Sequence, residues 1–171
     1  MIVTKKKMID YLLRYGIPED RIFVPNEEQI RDAPDDLKDA LAKLVRVPYA
    51  FKTDDGGEVT LESTLFCGEE WVQVKLLLVR GTDIRPQEEE RLYELVLQAN
   101  YDLREVTYSL SPGGDLCVEA DFPSSSTFEN FQSEYGSVEF GLKYLVTDIL
   151  PKLKGSAQIK STFDESKAFY T

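Results

Sequence analysis

Apolar positions along this chain recur with two periods, and the switches between them predict its elements. From Thr4 to about Tyr15, residues Met8, Ile9, Tyr11, Leu12 and Tyr15 return every three or four positions, the spacing of one helical face. Thr4 is placed to cap this helix, and Gly16 followed by Pro18 ends it. Asp10 and Arg14 form an i,i+4 pair on its wet side. Lys5, Lys6 and Lys7 oppose the helix dipole, at roughly a few tenths of a kcal/mol each. A solvated, frayed first turn is the expectation there, with a small basic handle as the alternative.

Residues 17–34 carry weaker signals. Ile22-Phe23-Val24 reads as a short extended piece before Pro25, and Asn26 is placed to cap a turn containing Glu27, Glu28 and Ile30. Asp35 or Asp36 then opens a short helix through Leu37, Leu41 and Leu44.

From Val45 the period is two. Val45, Val47, Tyr49 and Phe51 alternate with Arg46, Pro48, Ala50 and Lys52; a turn follows at Asp54-Asp55-Gly56-Gly57; then Val59, Leu61, Ser63 and Leu65 alternate with Thr60, Glu62, Thr64 and Phe66. Pro48 cannot donate to a ladder, so the first strand is an edge or begins late. The third strand sets Val72, Val74, Leu76 and Leu78 against Trp71, Gln73, Lys75, Leu77 and Val79.

A helix from about Gln87 to Asn100 follows, with Leu92, Leu95, Val96 and Ala99 as its buried stripe and Glu88, Glu89 and Glu90 favouring its N-terminal dipole. A second hairpin turns at Pro112-Gly113-Gly114-Asp115. Val106, Tyr108 and Leu110 point one way on its first strand, and Leu116, Val118, Ala120 and Phe122 do so on its second. Ser124–Ser126 supply a cap. Thr127 to Leu150 then reads as a long helix with the stripe Phe128, Phe131, Tyr135, Val138, Leu142, Leu145 and Ile149, expected to lie on the sheet as the core helix. Gly136 and Gly141 interrupt it, each costing about 1 kcal/mol relative to alanine or marking a close approach.

The pattern thus predicts an α+β fold in the order α-β-β-β-α-β-β-α, an antiparallel sheet packed on helices. Residues 1–153 are expected to form a single domain, and 154–171 a tail. With 171 residues and 42% hydrophobic content, such a domain buries roughly 70% of its unfolded surface. No apolar run approaches the roughly 20 residues of a membrane span, and no export signal is legible at the start; the cytoplasm is the expected location.

Charge changes the picture more than size does. The net charge is −11; ten Lys and Arg meet nine Asp and Glu through Thr53, and ten meet twenty-two beyond it. Such a field repels phosphate backbones and attracts basic partners, so no nucleic acid is expected. Acidity that serves solubility alone is the blander explanation.

Candidate chemistry is thin. The chain has no histidine, which removes His-activated nucleophiles and His-ligated metals. Cys67 and Cys117 stand fifty residues apart without CxxC spacing and read as reduced thiols. Glu119 and Asp121 fall on the wet side of a strand rather than in a buried acid/base pair. Both Gly-Gly pairs read as turns, since neither opens a helix nor fits a phosphate-binding motif. No catalytic residue, cofactor or metal is assigned.

One feature exceeds an ordinary solvated sheet. If Val72, Val74, Leu76 and Leu78 face the helices, then Trp71, Leu77 and Val79, with Phe66 on the neighbouring strand, face the side that should be polar. These four are the candidate protein-binding residues. Their cover is the N-terminal region, a second subunit or an extended peptide, and the alternation does not choose among them.

This order of elements resembles the type III secretion chaperone-like fold and, within it, the YbjN-type group. The resemblance is carried by Leu92–Asn100 leading into Val106–Leu110, the turn Ser111–Asp115, the strand Leu116–Pro123 and the helix after it. It covers about residues 45–153 and, loosely, the first helix; residues 17–44 are longer than the pattern. It implies a small acidic homodimer that binds an unfolded segment of another protein along its sheet and first helix, and it transfers no signature residue. A non-enzymatic, chaperone-like or regulatory binding module is therefore the leading expectation. A small-ligand sensor or enzyme with an acidic pocket, and a purely structural homodimer, are the competitors.

Overall fold

A computed structural model describes residues 3–52, 56–103 and 105–153. The tail expected at 154–171, and Asp54 and Asp55 of the first turn, lie outside the described residues. Helices α1 (Val3–Tyr15), α2 (Glu27–Asp32) and α3 (Asp35–Lys43) precede strands β1 (Leu44–Lys52), β2 (Glu58–Cys67) and β3 (Trp71–Val79). Helix α4 (Pro86–Asp102), strands β4 (Thr107–Leu110) and β5 (Leu116–Pro123), and helix α5 (Phe128–Tyr144) follow. This is an α+β fold in the predicted alternation; α3 is the short helix expected from Asp35, except that it ends at Lys43 and Leu44 already belongs to β1, and α2 is a helix where the sequence predicts a capped turn.

The five strands run antiparallel in the order β1-β2-β3-β5-β4. Period-two alternation puts one set of side chains on a single face: Val45, Leu65, Val74 and Ala120 form one row across four strands, and Val47, Ser63, Leu76, Val118 and Tyr108 the next. All nine are buried, each large aliphatic contributing about 1.5–3 kcal/mol. The buried stripes of α1, α4 and α5 join the same cluster, so one face carries these helices and the other is open except at its β1 end.

Helix α4 buries Leu92, Leu95, Val96 and Ala99, as its spacing predicts. Helix α5 buries its stripe from Phe131 to Ile149 and continues through a wide turn at Leu145–Ile149 into a tight one at Leu150–Lys152. Its cap is Thr127, one residue beyond the expected serines, with its hydroxyl accepting from the Asn130 N–H at 3.4 Å. Ser124 serves the loop instead, its hydroxyl donating to the Glu69 carbonyl at 2.5 Å and its N–H to Glu70 at 2.8 Å.

The N-terminal lysines correct the frayed-turn expectation. Lys5 is 3% exposed and its Nζ donates to the Ala42 carbonyl at 3.0 Å, while Lys7 donates to the Ser124 carbonyl at 2.9 Å. Two of the three cations thereby tie α1 to the last turn of α3 and to the loop after β5, and only Lys6 is fully exposed. Thr4 lies inside the helix, buried, rather than capping it. Arg14 reaches across to α5, 3.6 Å from the Glu129 carboxylate and 3.9 Å over the Phe128 ring, instead of serving α1 alone.

Residues 17–43 close one sheet edge. Asn26 and Gln29 form a reciprocal capping box at the start of α2, with bonds of 2.8 and 2.9 Å. Upstream, Phe23 exchanges two backbone hydrogen bonds of 2.8 Å with Arg46, occupying one rung of the edge strand β1. Pro48 removes the donor from the next outward rung, so β1 is the edge its proline predicts.

Candidate protein-binding surface

The four candidate residues do not converge. Trp71 opens β3 opposite Pro123, is 55% exposed, and lies on the open face. Phe66, half-buried on β2, pairs with Gln73 and so stands diagonal to Trp71 on the same face, within about 7–8 Å. Leu77 is half-buried four residues beyond Gln73, about 13 Å along the strand, where it faces Cys117. Between these positions the Lys75 ammonium meets the Glu119 carboxylate at 2.8 Å. An ion pair therefore divides what the alternation joined.

Val79 does not face outward at all. It is 1% exposed and belongs to the core. The cause is a bulge: Leu77 pairs with Cys117 but Val79 pairs with Leu116, so β3 carries one extra residue and its parity inverts after Leu77. Leu78 and Val79 are both buried in consequence.

The local chain explains why Trp71 stands proud. The Gly68 N–H donates to the Trp71 carbonyl at 2.9 Å, closing a tight turn, and a Cβ on Gly68 would lie 2.8 Å from that oxygen. The turn leaves Glu69 and Glu70 exposed and pins the strand so that the indole projects beyond the ion pair. At the β1 end the same face is not open: Leu44 and Arg46 are buried, and the Arg46 guanidinium pairs with the Glu62 carboxylate. The surviving candidate patch is thus Trp71 with Phe66, and Leu77 is a separate half-buried position.

Both thiols are inert at neutral pH. Burial pushes Cys67 up to about 12 against the opposing pull of Lys5, and pushes Cys117 up to about 11 against that of Lys75. Among the described residues no group of three or more His, Cys, Asp or Glu side chains could hold a metal ion, and no helix is long and apolar enough to cross a membrane.

A second surface escaped the sequence reading. Tyr93, Leu97 and Asn100 of α4 and Ser109, Leu110 and Leu116 of the second hairpin line a groove of about 320 Å³. Leu97 is 68% exposed, Leu110 45%, and Tyr101, one turn beyond Leu97, 90%. The signal was present in the sequence, since Tyr93, Leu97 and Tyr101 recur every four residues outside the buried stripe of α4. At the groove floor the Asn100 side chain grips the outer edge of β4: its amide donates to the Tyr108 carbonyl at 2.9 Å and its Oδ1 accepts from the Tyr108 N–H at 2.7 Å.

No protein-family model matches the chain, and no curated protein does. Among solved structures it is similar to the ExsC–ExsE complex, at 12% identity and a TM-score of 0.46, over 85% of this chain and 94% of that one. It is also similar to the HopA1–SchA chaperone–effector complex, at 15% identity and a TM-score of 0.40, over 79% of this chain and 94% of that one. Likeness at this level assigns neither function nor partner.

Proposed function

We propose that this chain is a non-enzymatic protein-binding module, chaperone-like or regulatory, that holds an extended or unfolded segment of a partner protein. The observation that carries the reading is Trp71, a tryptophan 55% exposed beside half-buried Phe66, on a sheet face where Gln73 and the Lys75–Glu119 ion pair are the next neighbours along the strand. An indole offers a large apolar area with few rotamers to freeze, which suits it to anchor a partner. The reading includes membership of the YbjN-type group, a cytoplasmic location and a homodimer; the order of elements and the acidic balance support it.

The test is capture of native partners by the full chain carrying Trp71→Ser or Leu77→Ser. Trp71→Ser is expected to lose capture with an unchanged far-UV spectrum, and Leu77→Ser to retain most of it. Undiminished capture by Trp71→Ser sinks the reading. Light scattering that reports only monomer at micromolar concentration removes the homodimer and leaves the binding claim standing.

A further inference from the structure

We infer that the Trp71 patch takes an arginine from an extended segment of another protein, with its guanidinium laid on the indole and its charge met by Glu70 and Asp121. The inference rests on the protein-binding reading and gives the anchor a chemistry. Trp71 has a neighbour on each adjoining strand of its face. Phe66 stands diagonal to it on β2, and Asp121, opposite Gln73 on β5, stands diagonal on the other side, each within about 7–8 Å. Glu70 directly precedes the indole, exposed in the turn that Gly68 closes. A ring set between a second ring and two carboxylates suits a side chain with an apolar stem and a cationic head.

Charge selects the cation. Glu70 and Asp121 are both exposed, and neither forms an ion pair among the described residues. Further along the face the charges match one another: Lys75 meets Glu119 at 2.8 Å, and Arg46 meets Glu62. Lys7 donates to the Ser124 carbonyl at 2.9 Å and lines one cavity with Glu69, so it offsets that carboxylate and leaves the other two. Acid also gathers past β5, where burial, then the charge of Glu105, then that of Asp121 push the Glu134 carboxyl up.

The geometry favours arginine over lysine. A guanidinium is planar and weakly hydrated, so it stacks on a ring while its edge donates to carboxylates; an ammonium holds its water. A second copy of this chain would set Glu70 and Asp121 against their twins across a two-fold axis, which costs rather than gains.

Trp71 is the chain's only tryptophan, so its emission reports this position alone. The full chain is titrated with a peptide alternating leucine and arginine, and with the same peptide carrying lysine, or neutral, planar citrulline, in place of arginine. The arginine peptide is expected to shift the emission and to bind at least about tenfold more tightly than the citrulline peptide, an advantage that closes toward about 1 M salt. Lysine is expected to bind at least about threefold more weakly than arginine. The double variant Glu70→Gln, Asp121→Asn is expected to lose the arginine advantage; both positions are exposed, so the fold stays intact.

Equal affinity for arginine and citrulline, with the emission shifted by both, overturns the inference and leaves the protein-binding reading standing on an apolar anchor. That reading fails separately, when Trp71→Ser keeps its native capture. Lysine that matches arginine removes the guanidinium as the anchor. Arginine binding that the double variant retains, or that leaves the emission unmoved, places the cation elsewhere on the acidic surface and overturns the inference, as does binding of no peptide. Emission that shifts with protein concentration alone assigns the patch to a second copy. A peptide of residues 154–171 that displaces the arginine probe assigns it to this chain's own C-terminal segment, and either result overturns the inference.

Discussion

A Cβ placed on Gly141 would lie 2.6 Å from a methyl of Val118, so α5 meets β5 at a distance that only a glycine permits. The same approach brings the Tyr108 hydroxyl within 2.5 Å of the Gly141 carbonyl, locking β4 to the helix. Gly136, one and a half turns earlier, has no such neighbour: its Cβ would stand 3.9 Å from the Tyr15 hydroxyl, in ordinary contact. Gly141→Ala is therefore expected to destabilise by about 1–3 kcal/mol through overpacking, despite alanine's better helix propensity. Gly136→Ala is expected to stabilise by up to about 1 kcal/mol. Urea unfolding of the two variants checks the pair, and equal shifts would refute the close-approach explanation.

The bulge in β3 separates Val79 from Trp71 energetically as well as spatially. Val79→Ala removes buried methyls from the core and is expected to cost about 1–3 kcal/mol, whereas Trp71→Ser touches an exposed position and is expected to stay within about 0.5 kcal/mol. Thermal melts of both variants decide it. A large loss in Trp71→Ser would mean the indole is structural.

Much of this fold was legible because periodicity is a direct imprint of burial. The stripes of α4 and α5, the strand parity through Leu77 and the proline-marked edge at β1 all follow from which positions must avoid water. What could not be read is where parity breaks. Nothing in Leu76-Leu77-Leu78-Val79 distinguishes a bulged strand from a straight one, since all four are apolar, so alternation alone puts Val79 on the wrong face. The lysines failed differently: local dipole chemistry predicts fraying, and tertiary partners at Ala42 and Ser124 override it. The α4 groove depends on a helix and a strand edge meeting in space, a relation that one-dimensional spacing marks only as surplus apolar residues.

Asn100 acts as a backbone surrogate at β4, and its removal should be felt as an unsealed edge. Asn100→Ala loses two hydrogen bonds and leaves both outward groups of Tyr108 to water, with an expected cost of about 1–2 kcal/mol. Freed strand edges also recruit other strands, so the variant is expected to aggregate at concentrations where the parent does not. Unfolding curves with light scattering measure both effects; an unchanged stability would show that the amide contributes no net seal.

Alkaline pH should destabilise this protein well before it does anything else to it. Burial raises Cys67 from 9.0 to about 12, Cys117 from 9.0 to about 11 and Tyr135 from 10.0 to about 12, and it raises Tyr49 and Tyr108 as well. In each case the unfolded chain releases its proton first, so the stability these groups contribute is whole below the unfolded value and is lost as pH climbs through the folded one. Each fully displaced group adds about 1.4 kcal/mol per pH unit to the slope. Lys5 works the other way: desolvation lowers its pKa, so the cost of burying its charge fades with rising pH, but it is one group against these five, and burial raises Tyr15 and Tyr93 too. With no histidine in the chain, stability is expected to stay level from about pH 7 to 8.5 and to fall above about pH 9, where the unfolded thiols ionise. Melting temperatures across this range test it, and Cys67→Ala should flatten the first part of the decline. A variant that declines as steeply as the parent would show that the Cys67 thiol is not among the groups responsible.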